Sequence, residues 1–110
     1  MTTYVWVTTQ FVGFHRWKDA PEEVKFLRDY HRHIFHVKLA VQVTHNNRQV
    51  EFFTLKKELD TFLELYKDQY FEESCEMIAQ TLLKRFGARI VNVSEDNENG
   101  ATVTSFGDAP

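Results

Sequence analysis

Two segments with a helical pattern lie next to each other in the middle of the chain, and segments with a strand pattern lie on both sides of them. Residues 54–70 and 73–87 repeat apolar side chains at the three- and four-residue spacing of amphipathic helices. Residues 4–14, residues 33–44 and the stretch from Ala88 onward are rich in β-branched and aromatic side chains, which favour strands. This order predicts an α+β fold in which two helices lie on one face of an antiparallel sheet.

Shorter sequence signals predict the connections between these segments. Pro21 with two glutamates after it is typical of the first turn of a helix, where carboxylates favour the helix dipole. The sequence THNNRQ indicates a turn, and QVEFF (49–53) predicts a short third strand that completes a hairpin with the strand before it. Gly87 is a good helix terminator, and NENG (97–100) predicts the turn of a closing hairpin.

The length, charge and cysteine content of the chain narrow its class. The chain has 110 residues, and we expect residues 1–104 to form a single domain and residues 105–110 to form a flexible tail. A net charge of -3 without a basic run argues against the electrostatic footprint of a nucleic-acid-binding protein. The N-terminal residues show neither a signal peptide nor a membrane span, so we expect no membrane partner. The single cysteine, Cys75, cannot form an internal disulfide, which favours a reducing, cytoplasmic setting.

Three histidines fall within the stretch YHRHIFHV (30–37) at the start of the second predicted strand. His31 and His33 point to the same face because successive side chains alternate, and they lie roughly 7 Å apart along the strand. His15 ends the strand that should pair with this one, so it is the candidate third ligand. Three histidines can hold one tetrahedral zinc ion and leave its fourth position open for water or substrate. Exposed polar side chains without a metal are the alternative, which the spacing alone leaves open.

Five short motifs, in the same order, resemble those of the 6-pyruvoyl-tetrahydropterin synthase and 6-carboxy-tetrahydropterin synthase family. FVGFH (11–15) resembles F-x-A-A-H, HRHIFHV (31–37) resembles H-G-H-x-Y-x-V, VEFFTLK (50–56) resembles V-x-D-F-x-x-L-K, ESCEMIA (73–79) resembles P-T-x-E-N-I-A, and VNVSEDNENGATV (91–103) resembles V-x-V-x-E-T-x-x-x-x-A-x-Y. Each motif is weak alone, and the five together in this order predict the family's fold.

The resemblance implies the tunnelling fold, a four-stranded antiparallel sheet with two helices on one face. Subunits of that family join their sheets edge to edge into a barrel, so it implies a homo-oligomer, usually a hexamer. It implies a Zn²⁺ ion on His15, His31 and His33, with Glu95 anchoring the pterin ring and Glu76 as a second substrate-binding residue. The implied activity is that of a zinc-dependent lyase acting on dihydroneopterin triphosphate or a related pterin, in the queuosine and 7-deazaguanine pathway.

The chain differs from the family at the residues that transfer protons. Leu27 stands in the place of the usual cysteine, and no Asp-His pair occurs between the two helical segments. Glu22, Glu23 and Cys75 are the candidates to replace these groups. General acid–base groups typically contribute roughly a hundred- to ten-thousand-fold to a rate. The alternative function is therefore a non-catalytic protein that captures a purine-, nucleotide- or pterin-like ligand in the pocket, and a structural oligomer with a relic site is a third.

Overall fold

The computed structural model describes residues 1–106 of the chain. Its elements in chain order are β1 Thr3–His15, a 3-10 helix Glu22–Arg28, β2 His31–Val43, α1 Phe52–Leu63, β3 Tyr70–Phe71, α2 Cys75–Phe86, β4 Ile90–Glu95 and β5 Asn99–Thr104. The strands form one sheet in the order β3-β1-β2-β4-β5. Its pairs are antiparallel except for β3, which runs parallel to β1. The α+β prediction is confirmed, and the two-residue β3 gives the sheet a fifth strand beyond the four that the family resemblance implied.

Both α-helices pack on one face of the sheet. The core combines Leu59 of α1 and Ile78 of α2 with sheet residues of a single parity, such as Phe35, Leu39 and Val93, all of which are fully buried. Alternate strand residues are turned to the other face, where most of the side chains are polar. Each α-helix has 12 residues, and no helix within residues 1–106 is long and apolar enough to cross a membrane.

The pairing of β1 with β2 sets the position of the histidines. The two strands pair antiparallel along their whole length, from Thr3 opposite Val43 to His15 opposite His31. The 3-10 helix lies in the connection between them. This register also puts Gly13 opposite His33, so His15, His31 and His33 lie together at one end of the two longest strands.

The predicted short strand at residues 49–53 is wrong. Glu51 is the N-cap of α1, because its carboxylate accepts hydrogen bonds from the backbone N–H groups of Phe53 at 3.0 Å and Thr54 at 2.7 Å. These N–H groups have no partner inside the helix, and the cap satisfies them, so the chain enters a helix instead of completing a hairpin.

The helix predicted over residues 54–70 also ends early. α1 stops at Leu63, and the chain turns through residues 64–69, where Asp68 has a φ of 59°. The Asp68 N–H donates to the Val12 carbonyl at 2.7 Å, and the Phe14 N–H donates to the Gln69 carbonyl at 3.0 Å. These hydrogen bonds hold the turn against β1 and align β3 beside His15.

The first residues of the expected flexible tail make defined contacts. The Ser105 N–H donates to the Arg89 carbonyl at 3.0 Å, and the Phe106 ring packs edge-on against Tyr4 with centroids 5.8 Å apart. The rest of that tail, residues 107–110, lies outside the described residues. The domain bounds of 1–104 and the flexible tail stay predictions.

Candidate metal centre

His15, His31 and His33 lie together at the end of β1 and the start of β2. Their ring centroids are 4.6 Å apart for His15 and His31, 4.8 Å for His31 and His33, and 5.6 Å for His15 and His33. One ring nitrogen from each, with a carboxylate oxygen of Glu95, forms a group whose atoms all lie within 4.8 Å of one another. The strand alternation that predicted a shared face for His31 and His33 is thus seen in the structure.

The second ring nitrogen of each histidine faces a hydrogen-bond acceptor. The Nδ1 atoms lie 3.2 Å from the carbonyl oxygen of Glu73 for His15, 3.0 Å from that of Asp29 for His31, and 2.7 Å from Oδ2 of Asp96 for His33. Since carbonyl and carboxylate oxygens only accept, each Nδ1 carries the hydrogen in these bonds. The Nε2 atoms are then left to face a metal, although that of His15 lies 2.6 Å from Oε2 of Glu95, a separation that requires a hydrogen on one of these two atoms.

Aromatic rings pack against the cluster from the core side. Phe35 lies under His15 with an edge-on contact of 4.9 Å between centroids, and Phe71 lies 5.7 Å from the same imidazole. Gly13 makes room for Phe71, because a Cβ at this position would lie 2.7 Å from the Phe71 ring. His15 is consequently only 8% exposed, which restricts its imidazole to few orientations.

Glu95 brings a carboxylate to the same point from β4. Its Oε2 lies 2.6 Å from Nε2 of His15 and 3.7 Å from Nε2 of His33. Its Oε1 accepts a hydrogen bond from Nδ2 of Asn99 at 3.1 Å. The structure therefore places the predicted pterin-anchoring residue in direct contact with the predicted metal ligands.

The chemistry of this donor set fits zinc. Burial lowers the pKa of His31, and the neighbouring His15 and His33 lower it further, although the hydrogen bond to the Asp29 carbonyl acts in the opposite direction. A lowered pKa favours the neutral imidazole, which is the form that binds a metal ion. Imidazole nitrogens with a carboxylate oxygen in reach are ligands that Zn²⁺ takes in tetrahedral sites.

A cavity of about 540 Å³ opens beside the histidines. His15, His31 and Glu95 line one part of it, and Glu76 and Cys75 line another from the start of α2. The remaining wall includes Arg16, Trp17, Leu27, Glu73 and Met77. Its volume lies in the range of small-molecule sites, which is roughly 300–1,000 Å³.

The candidates for proton transfer divide into two groups in the structure. Glu22 and Glu23 lie on the exposed 3-10 helix and do not line the cavity. The carboxylate of Glu22 instead lies 3.5 Å from the charged nitrogens of Lys25 and Arg28. Cys75 does line the cavity, but burial, with the carboxylates of Glu95 and Glu76, raises the pKa of its thiol to about 12. A thiol with this pKa stays protonated near neutral pH and is a poor base or nucleophile.

Asp96 and Asn99 are site residues that the sequence reasoning missed. Asp96 accepts from His33, and its pKa is lowered first by the Ile34 N–H that its carboxylate accepts and then by His33. The sequence feature that could have indicated Asp96 is its position directly after Glu95, in a turn next to the strand that carries His31 and His33. A contact between residues 63 positions apart in the chain could be inferred only from the pairing of β2 with β4.

The fold and the site define an α+β protein with a histidine-rich candidate metal centre at the mouth of a cavity. A search of solved structures finds the 6-pyruvoyl tetrahydropterin synthase of Caenorhabditis elegans, with a TM-score of 0.76 and 15% sequence identity over 96% of each chain. A scan against protein-family models finds no match, and a search of curated proteins also finds none. The chain thus has the fold of a pterin synthase, as the sequence motifs predicted.

Proposed function

We propose that this chain is a zinc-dependent, pterin synthase-like protein that acts on dihydroneopterin triphosphate or a related pterin. The observation that carries the proposal is that one ring nitrogen each of His15, His31 and His33 and a carboxylate oxygen of Glu95 all lie within 4.8 Å of one another. The likeness to a pterin synthase supports it through the shared fold. The motif resemblance adds the 6-carboxy-tetrahydropterin branch of that chemistry, the queuosine and 7-deazaguanine pathway, and a cytoplasmic location to the proposal.

In this proposal His15, His31 and His33 hold the zinc ion, and the cavity holds the ligand. A zinc ion bound there supplies Lewis acidity toward the oxygens of the ligand side chain. Glu95 and Glu76 accept hydrogen bonds from the ring N–H and exocyclic amine of the pterin, a planar fit for a carboxylate. Leu27 and Trp17 supply apolar surface to the lining of the same cavity.

The first test is the metal content of protein purified without a chelator or an affinity metal. We expect about one zinc per chain, and loss of this zinc in the His31→Ala and His33→Ala variants. His36→Ala is the matched control, because His36 lies on the same strand but lines a different cavity on the other face. Wild-type protein without zinc, or zinc lost equally in His36→Ala, would refute the metal centre.

The second test separates the two roles open to Glu95. We expect Glu95→Gln to keep its zinc and to lose affinity for a pterin such as neopterin, because the amide offers one acceptor oxygen to the ring donors where the carboxylate offers two. Loss of zinc in this variant would instead assign Glu95 to the metal. Metal analysis of the purified variant decides whether zinc is retained, and calorimetric titration of the zinc-loaded variant and wild type with neopterin measures the change in affinity.

Capture of a pterin- or purine-like ligand without turnover is the second candidate function. Leu27 in the cavity wall cannot transfer a proton, and the thiol of Cys75 has a pKa of about 12. Incubation of the zinc-loaded protein with dihydroneopterin triphosphate distinguishes the two functions. Release of triphosphate supports the synthase-like activity, whereas tight binding without release supports capture.

The assembly that we propose is a homo-oligomer, a hexamer by resemblance to the family. Within residues 1–106 the outer side of β1 is paired only at its end, by β3, and the outer side of β5 has no neighbouring strand. Unpaired sheet edges favour the addition of strands from other copies. Trp6 and Phe53, which are 56% and 75% exposed, lie beside the unpaired part of β1 and would gain cover from a neighbouring subunit.

A further inference from the structure

The partner of His33 differs in kind from those of the other two histidines. His15 and His31 donate to backbone carbonyls, whereas His33 donates to the carboxylate of Asp96 at 2.7 Å. We propose that Asp96 is a positioning residue, which fixes His33 in the Nδ1–H tautomer and so directs its Nε2 toward the metal. The metal part of this inference rests on the proposed function, and the tautomer part does not.

Asp96 is held on both sides by the strand that carries His33. Its Oδ1 accepts from the N–H of Ile34 at 2.9 Å, and its own N–H donates to the Ile34 carbonyl at 2.8 Å. Ile34 directly follows His33, so the carboxylate is anchored one residue away from the imidazole that it contacts. Rotation of the carboxylate away from His33 would also break the bond to Ile34.

The turn between β4 and β5 makes this placement possible. Asp96 and Asn97 have φ values of 55° and 58°, a left-handed conformation that Asp and Asn tolerate better than most residues. The Glu98 N–H donates to the Glu95 carbonyl at 3.0 Å and closes the turn. Because Glu95 pairs with Phe35, the turn begins beside His33.

A carboxylate at this position has a chemical consequence that a hydroxyl would not have. The family motif that this segment resembles has threonine in the place of Asp96, and a threonine hydroxyl can either donate or accept. An ionised carboxylate can only accept, so it selects the histidine tautomer that carries its hydrogen on Nδ1. Carboxylate partners of this kind also increase the basicity of histidine as a ligand.

The tautomer of His33 can be measured in the metal-free protein by ¹⁵N NMR of the imidazole nitrogens. The pH is raised until the imidazole nitrogen shifts no longer change, so that the spectrum reports the tautomer of the neutral ring. We expect wild-type His33 to be the Nδ1–H tautomer. Asp96→Gly removes the carboxylate and tolerates the positive φ, and we expect it to populate the Nε2–H tautomer.

Two further variants make the measurement specific. Asp96→Asn keeps the shape of the side chain, but its amide cannot accept from both His33 and the Ile34 N–H, so we expect an intermediate shift. Asn97→Gly changes the adjacent position of the same turn without removing a partner of His33, and we expect a wild-type tautomer. An unchanged His33 tautomer in Asp96→Gly would overturn the inference.

Zinc affinity, measured by competition with a chromophoric chelator, tests the consequence for the metal. We expect roughly a 10- to 100-fold loss in Asp96→Gly and none in Asn97→Gly. A changed tautomer with unchanged affinity would overturn the link between Asp96 and the metal. A wild-type protein that binds no zinc would refute the proposed metal centre, while the tautomer measurement would still decide the role of Asp96.

Discussion

Leu27 and Cys75 bear most directly on which chemistry the cavity can perform. The Trp17 N–H donates to the Leu27 carbonyl at 2.7 Å, so the backbone fixes Leu27 in the cavity wall. The side chain of Leu27 has no acidic or basic group that could transfer a proton. The carboxylates of Glu72, Glu73, Glu76 and Glu95 are therefore the remaining acid–base groups in this wall, apart from the histidines and Cys75.

We expect Cys75 to react slowly with iodoacetamide in the folded protein. The rise of its thiol pKa from 9.0 to about 12 leaves a thiolate fraction about a thousandfold smaller at pH 8. The rate of alkylation as a function of pH, in folded and in urea-denatured protein, checks this expectation. Fast alkylation of the folded protein with a midpoint near pH 9 would contradict it and would restore Cys75 as a candidate nucleophile.

The histidine cluster shows which site residues a sequence can predict. His31 and His33 follow from strand alternation, and His15 follows from the antiparallel pairing of two strands. Asp96 and the carbonyl of Glu73 do not follow, because their contacts depend on how β4 and the start of α2 meet the strand ends. Residue type and local spacing carry no information about such contacts.

At the scale of elements, the two α-helices begin with different kinds of cap. The carboxylate of Glu51 caps α1, and the hydroxyl of Ser74 caps α2 by accepting from the Met77 N–H at 3.1 Å. The pKa of Glu51 is lowered, first by the Thr54 hydroxyl and then by the backbone N–H groups of Phe53 and Thr54. The stabilisation of α1 by the Glu51 cap should therefore depend on pH, whereas the stabilisation of α2 by the Ser74 cap should not.

We expect Glu51→Gln to lower the melting temperature at pH 7 and to have little effect at acidic pH. A carboxylate with a lowered folded-state pKa stabilises the fold above its ordinary pKa of 4.5, and this stabilisation is lost as the pH falls through the lowered value. Thermal unfolding of wild type and variant, followed by circular dichroism at pH 7 and pH 3, measures the difference.

Ser74→Ala is the matched control for this pH dependence. Loss of a serine cap costs about 1 kcal/mol, and a hydroxyl does not titrate in this range, so its effect should be similar at both pH values. An effect of Glu51→Gln that is equally large at pH 7 and pH 3 would show that the charge of the cap is unimportant.

The segment around Glu51 shows why the strand predicted at residues 49–53 from local residue patterns was wrong. Val50, Phe52 and Phe53 are apolar and have strand propensity, which produced the predicted third strand. Phe52 and Phe53 are exposed in the monomer, and the cap formed by Glu51 decides the local conformation. The longer patterns of α2 and the two long strands had no such competitor and were predicted well.

At the scale of the whole molecule, the unpaired part of β1 and its exposed aromatic side chains argue for association. We expect wild-type protein to sediment as a hexamer and Phe53→Glu to shift it toward smaller species. Glu in the first turn of α1 is favourable for the helix dipole, so the substitution should not unfold the helix.

Leu65→Glu is the control for this experiment. Leu65 is an apolar side chain with an exposed fraction of 68%, close to the 75% of Phe53. Unlike Phe53, it does not line the groove beside β1. Sedimentation equilibrium at micromolar concentration compares the three proteins. A wild-type protein that is monomeric at this concentration would refute the proposed assembly.

The short β3 has a consequence for how two copies of the sheet can be joined. The turn before it already occupies the Val12 carbonyl and the Phe14 N–H, so an added strand can extend along β1 only as far as Phe11. A one-residue slip between strands would turn every side chain to the opposite face. In the proposed assembly, β3 would therefore limit how far a strand from another subunit can pair along β1, which would fix the register between the two sheets and keep that strand away from His15.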